Sequence, residues 1–254
     1  MLPRCFFAIA LLFLTLLPAR LTHASDSFEL AIFTVDVTIP VGHPCMGGGI
    51  APASKVAQPL LAKGFVLTGG EKPFVVVCFD WCEIRGSAFE DWRKGLAEEC
   101  GTDPQRVLIT STHVHDAPVM DPEAEQLLRD AEKSGAWKNL AAPDPKARIQ
   151  LASVCWPDFN RICIQRVRAA VKEALAKKKR VTHFGMGRAE VKEVASNRRY
   201  LTPDGKVMYN RMSRTADPVT RDADVGTIDP WLRTLSFWDG ETPCVRCTVM
   251  RCIP

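Results

Sequence analysis

Phe74-Val75-Val76-Val77-Cys78-Phe79 and, some thirty positions later, Val107-Leu108-Ile109-Thr110 decide the fold of this chain. Both are short apolar runs rich in β-branched residues, the pattern of strands buried on both faces. Between them, Ser87-Ala88-Phe89-Glu90 predicts a helix start with a Ser-x-x-Glu capping box, and Gly101 after Cys100 predicts its end. Strand, helix and strand over 74–110 predict a right-handed parallel unit in which both strands finish at the same edge. Phe65-Val66-Leu67 lies one glycine-bearing turn earlier, so it should pair antiparallel with 74–79. The fold class predicted is therefore α/β, with a mixed sheet.

Immediately after the second strand comes Thr110-Ser111-Thr112-His113-Val114-His115-Asp116-Ala117-Pro118. Residues i and i+2 of an extended backbone point to the same side, so His113 and His115 can reach one metal ion at the strand's C-terminal edge. Two surface or hydrogen-bonded histidines are the plainer alternative. Asp80 ends the first strand and should converge on the same edge. It can serve as a ligand, as a partner for a histidine N–H, as a general base, or simply as a cap on the following loop.

Farther along, Asp121-Pro122 precedes a short helical stretch from Glu123 to Lys133, and a loop bearing Pro and Asp follows toward residue 156 and over the site edge. Asp158 is placed to cap a longer helix that runs to Lys177, with Lys177-Lys178-Lys179-Arg180 as its solvated, dipole-favoured end. Thr182 to Val191 and Thr234 to Trp238 read as strands, with turns at Thr202-Pro203-Asp204-Gly205 and Asp239-Gly240. Neither a repeat nor a low-complexity tract is present.

The chain has 254 residues, 46% of them hydrophobic, and a net charge of +4. That is enough apolar content for one globular core and too little positive charge to argue for nucleic acid. Met1 to Arg4 carry a positive charge, Cys5 to Leu17 are almost wholly apolar, and Thr22-His23-Ala24 sets small residues where a signal peptidase cuts. Residues 1–24 are thus expected to be a signal peptide, 25–254 a single α/β domain, and the protein secreted or periplasmic with no stable membrane span. Nine cysteines remain after the signal, an odd number that argues against a dense disulfide framework. Cys244-x-x-Cys247 lacks the second pair of a zinc knuckle. The oligomeric state is left open.

Three stretches together resemble the neutral/alkaline, non-lysosomal ceramidase family in its bacterial secreted branch: Phe33-Thr34-Val35-Asp36-Val37-Thr38-Ile39-Pro40, Thr110 to Pro118, and Asn197-Arg198. The resemblance spans roughly residues 28 to 243. It implies that His113 and His115 hold a zinc ion whose water attacks an amide carbonyl in a lipid substrate, and it makes Asn197 and Arg198 candidates for substrate binding. Asp116-Ala117-Pro118 departs from the family's Ser-Gly-Pro, which bears on acyl and head-group specificity. A metallo-β-lactamase-like hydrolase fits less well, because Val119 and Met120 stand where its last metal-binding residues belong.

Family members carry another zinc-binding histidine in a Tyr-Ala-x-His-Pro sequence after the Trp-Asp-Gly turn, then a carboxylate and a tyrosine. Here Cys244 to Pro254 is cysteine-rich and shows no strand alternation, yet a shifted reading frame over Val249 to Pro254 admits Tyr-Ala-Val-His-Pro. The expectation is an N-terminal portion of a ceramidase-like enzyme, frameshifted near Cys244. Two readings follow: a secreted zinc amide hydrolase of ceramidase type, or a non-catalytic secreted domain with a residual metal or ligand site.

Overall fold

A computed structural model describes residues 27–135, 153–193, 196–202, 204–208, 211–212 and 215–250. The expected signal peptide at 1–24, the loop expected to cover the site at 136–152, and residues 251–254 lie outside the described residues.

The 74–110 unit folds as its pattern predicts. β1 (Glu29–Asp36), β2 (Leu61–Thr68) and β3 (Phe74–Phe79) form an antiparallel meander, and α1 (Gly86–Cys100) carries the chain over to β5 (Val107–Ser111). Between β3 and α1 lies the two-residue strand β4 (Glu83–Ile84), which pairs in parallel with β6 (Val119–Met120). β5 runs parallel to β3, from Val75 opposite Val107 to Phe79 opposite Ser111. With β7 (Lys179–Arg180) on β1, the mixed sheet has the order β5-β3-β2-β1-β7.

Period-two alternation assigns the two faces. Ala31, Phe33, Ala62, Val66, Val75, Val77, Val107 and Ile109 point toward α1 and α3 (Pro157–Leu175), where Trp92, Leu96, Cys163, Val167 and Val171 meet them. Leu30 and Phe65 point the other way, onto Phe237. That opposite layer is an antiparallel sheet of β8 (His183–Glu190), β11 (Trp231–Asp239) and β12 (Thr242–Met250), in the order β12-β11-β8, while the two-residue strands β9 (Tyr200–Leu201) and β10 (Val207–Met208) pair only with each other. The layers are thus helices, mixed sheet and antiparallel sheet. An apolar cleft of about 590 Å³ opens between the two sheets, lined by Phe28, Leu67, Val181, Phe184, Leu235 and Phe237.

Several local expectations are corrected. The Ser87 capping box does not form: α1 begins at Gly86 with no side-chain cap, and the Ser87 N–H donates to Glu123 of α2 (Pro122–Ser134) at 2.8 Å. A carboxylate brought by tertiary folding replaces the local one. Asp158 does not cap α3 either; Trp156 holds that position, Pro157 opens the first turn and Asp158 pairs with Arg161. The basic run 177–180 is exposed, as expected, but it lies just past the helix end rather than within it. α3 stops at Leu175, Lys179 and Arg180 pair with β1, Lys178 meets Glu29, and Arg180 lies 3.4 Å from Asp239. Residues 244–250 do form a strand. The turn at Gly240 (φ 57°) folds β12 back onto β11, and pairing holds from Asp239 opposite Thr242 to Leu232 opposite Met250. Backbone bonding from a tight turn needs little from the side chains, which hid the strand from pattern reading.

Candidate metal centre at the end of the parallel strands

Past their last paired residues, β3 and β5 remain fastened to each other. Thr112 N–H donates to Phe79 O (2.9 Å), His113 N–H to Trp81 O (3.1 Å), and the Ser111 hydroxyl to Cys82 O (3.0 Å). On the other flank, the N–H groups of Cys82 and Glu83 both donate to Pro118 O, at 3.0 and 3.3 Å. The segments 79–83 and 111–118 therefore form one braced ledge on the edge predicted for the site. Below it lie Phe79, Trp81 and Trp92, mutually packed with ring centroids 4.5 to 6.0 Å apart. Trp81 is also tied by its indole N–H to Val37 O (3.0 Å).

His113 adopts φ 59°, a left-handed conformation uncommon outside glycine. Its own N–H bond to Trp81 O holds that turn, and the turn directs the imidazole at Cys82 and Glu83. Nδ1 of His113 lies 3.1 Å from Cys82 O, 3.6 Å from Glu83 Oε1 and 3.7 Å from Cys82 Sγ. The His115 ring stands 5.4 Å from that of His113, centroid to centroid, at 84°. Both imidazoles are exposed, whereas Cys82 is buried and Glu83 half-buried. Burial, then the charge of Glu83, pushes the Cys82 thiol above its ordinary range. Glu83 also pairs with Arg85.

Asp80 occupies the ledge but spends its carboxylate on the neighbouring strand: Oδ2 accepts the Leu61 N–H at 3.1 Å and lies 4.0 Å from Lys63 Nζ. The carboxylate that reaches His113 belongs to Glu83. Asn197 is engaged within its own loop, its amide donating to Thr227 O (3.0 Å), its side-chain oxygen accepting from Arg199 N–H (2.9 Å) and its N–H donating to Val225 O (2.8 Å). Arg198 is exposed. Sequence reasoning did not single out Cys82 and Glu83, although both follow the strand that carries Asp80.

Cys82, Glu83 and His113 offer three donor atoms within 4.8 Å of one another. A tetrahedral zinc ion, with bonds near 2.1 Å to N or O and 2.3 Å to S, sets its ligands about 3.4–3.6 Å apart. The distances from Nδ1 to Sγ and to Oε1 are close to that spacing, so these two pairs are compatible with such an ion. The same imidazole can act otherwise, with Nδ1–H bonded to the Cys82 carbonyl and Nε2 presented beside His115, as metal-ligating histidines are commonly oriented.

Two solved structures share this architecture. One is a ceramidase complexed with C2, at 14% identity with a TM-score of 0.56, covering 87% of this chain and 30% of the other. The second is the neutral ceramidase from Pseudomonas aeruginosa, at 15% identity with a TM-score of 0.57, covering 87% of this chain and 31% of the other. The fold resembles that of part of a neutral ceramidase. The chain spans about a third of the length of these proteins. No family model matches the chain, and no curated protein does.

The apolar cleft does not serve this ledge. It lies beside Phe28 and Leu67, and Leu67 pairs with Phe74 at the beginning of β3, whereas His113 lies beyond the ends of β3 and β5. Among the described residues, no helix is long and apolar enough to cross a membrane.

Proposed function

We propose that this chain is the metal-binding portion of a secreted, zinc-dependent amide hydrolase of ceramidase type, exported by residues 1–24 and acting on N-acyl lipids. The observation that carries the reading is the pair of imidazoles of His113 and His115, 5.4 Å apart on a ledge braced by both parallel strands, in a fold shared with neutral ceramidases. Bound there, zinc supplies Lewis acidity toward an amide carbonyl and lowers the pKa of water to about 7. His113 and His115 hold the ion. The Cys82 carbonyl, bonded to the His113 ring, sets its orientation. Asp80 supports the site by keeping the end of β3 against β2 through Leu61. Asn197 and Arg198 meet the polar part of the substrate. Exposure of both rings leaves them open to a bulky substrate arriving from solvent.

Metal analysis after dialysis, together with hydrolysis of a panel of N-acyl lipids and N-acyl amino acids, tests this. The expected result is about one zinc per chain, with metal and hydrolysis both lost in the His113→Ala/His115→Ala double variant. Zinc retained by that variant, or hydrolysis undiminished in it, refutes the proposal.

A further inference from the structure

We propose that the apolar cleft between the two sheets is a ligand site separate from the ledge, and that it takes a single-chain alkyl carboxylate, with the hydrocarbon tail inside and the anionic head at the rim. The inference goes beyond the hydrolase reading and needs no metal. β7 pairs only with Glu29 and Leu30 of β1, and the chain then crosses to the second sheet through Val181 and Thr182, so the two layers part beside that crossing. The space of about 590 Å³ left between them falls in the range of about 300–1,000 Å³ usual for ligand pockets. Its walls are almost entirely hydrocarbon, from Phe28 and Leu67 on one side to Phe184 and Phe237 on the other. Phe28 and Phe184 are nevertheless 45% and 60% exposed, so the mouth offers apolar surface that an alkyl chain would remove from water. The rim supplies the charge. Lys179 lies opposite Leu30 in the antiparallel pair, and directly opposed residues share a face, so its side chain leaves on the side where Leu30 meets Phe237. Lys178 is neutralised by Glu29 and Arg180 by Asp239, whereas Lys179 has no ion-pair partner among the described residues. Of the two polar lining residues, Thr182 is already engaged, its hydroxyl accepting the Gly240 N–H (2.8 Å) and donating to Trp238 O (3.1 Å), and the His183 ring lies flat on Trp238 with centroids 6.1 Å apart. An apolar body with one anionic end matches this distribution; a cationic head does not.

Titration of the full chain with octanoate, decanoate and dodecanoate, each below its micelle concentration, tests the site. The expected result is saturable binding whose affinity rises by up to about fourfold for each methylene added. Phe184→Glu sets a like charge in the mouth at an exposed position and should weaken dodecanoate by about tenfold. Lys179→Gln gives a second reading should Phe184→Glu not fold: dodecanoate weakens by about two- to fivefold, the range of an exposed ion pair, while dodecanol binds as before. The His113→Ala/His115→Ala variant should bind dodecanoate as the wild type does. Absence of binding, affinity independent of chain length, or full-strength binding by folded Phe184→Glu overturns the proposal. So does an equal response of dodecanoate and dodecanol to Lys179→Gln, or a loss in the double histidine variant, which would place the ligand at the ledge. Chain-length-dependent binding at the cleft by a protein that neither holds zinc nor hydrolyses amides refutes the hydrolase reading alone, and zinc-dependent hydrolysis without carboxylate binding at the cleft does the reverse.

Discussion

Glu125 is a carboxylate at 3% exposure, the one buried residue of a short helix, and its replacement should cost far more than a surface glutamate would. Oε2 accepts the N–H groups of Val154 (2.5 Å) and Cys155 (3.3 Å) and the hydroxyl of Ser153 (3.0 Å), while Oε1 accepts from Arg129 at 2.9 and 3.0 Å. Glu125→Ala leaves all of these donors without their acceptor. Arg129 is half exposed and Ser153 half-buried, so both can turn to water. The backbone donors at 154 and 155 have no such freedom, because the chain there is held in place by the packing of Cys155 and Trp156. Bonds to a charged acceptor contribute about 1.5–3 kcal/mol each, which gives a loss of about 3–6 kcal/mol for the two. At about 2–4 °C per kcal/mol for a domain of this size, Tm should fall by about 6–24 °C. Glu125→Gln keeps one carbonyl acceptor and should lose about half as much. Thermal and urea melts followed by circular dichroism measure both. A Glu125→Ala variant within about 2 °C of wild type, with unchanged m, would refute the argument that this buried acceptor holds the 153–155 segment.

Other expectations are as direct. Asn160→Ala removes the acceptor of the fully buried Trp92 indole (2.8 Å) and should destabilise by about 1–3 kcal/mol in a denaturant melt; no loss would mean that the indole finds another partner. Gly64 pairs with Phe33, and a Cβ there would stand 2.4 Å from the Phe33 ring and 2.5 Å from the Val76 carbonyl oxygen. The ring can rotate away but the strand cannot, so Gly64→Ala should cost at least about 1–3 kcal/mol, and a Tm equal to wild type would show that the sheet yields freely. His43 is buried against Trp156 and Phe159, with Nδ1–H donating to Pro44 O and Nε2 accepting from Trp156 N–H. Burial lowers its pKa below the ordinary 6.5. The unfolded chain therefore takes up a proton first as pH falls through 6.5, and stability should drop by up to about 1.4 kcal/mol per pH unit until the folded pKa is reached. Melts from pH 7.5 to 5 should show a shallower acid slope in His43→Gln; equal slopes would assign the loss to other groups.

Short-range pattern was enough for the strand–helix–strand unit. The run Phe74–Phe79, the run Val107–Ser111 and the helix between them are specified by apolar runs and turn chemistry, and the parallel order then follows from the handedness of the crossover, although β5, at the sheet edge, buries only one face, with Val107 and Ile109 inside and Leu108 57% exposed. The left-handed Gly101 at φ 62° is likewise local, a place where only the backbone of that residue matters. Helix starts were less legible, because the groups that cap α1 and pack around α3 come from elsewhere: Glu123 lies 36 positions beyond Ser87.

By itself the amino-acid sequence determined the α/β class, the strand–helix–strand unit and the edge at which His113 and His115 emerge, since alternation and turn chemistry act over a few residues at a time. Only the tertiary structure decided which groups those imidazoles meet. Asp80, one residue past β3, is drawn to the Leu61 N–H of the strand beside it, whereas Cys82 and Glu83 are carried under His113 by the shared carbonyl of Pro118 and a left-handed turn at position 113. A side chain's partner at a strand end depends on where the next segment passes, and that is set by contacts between residues about thirty positions apart.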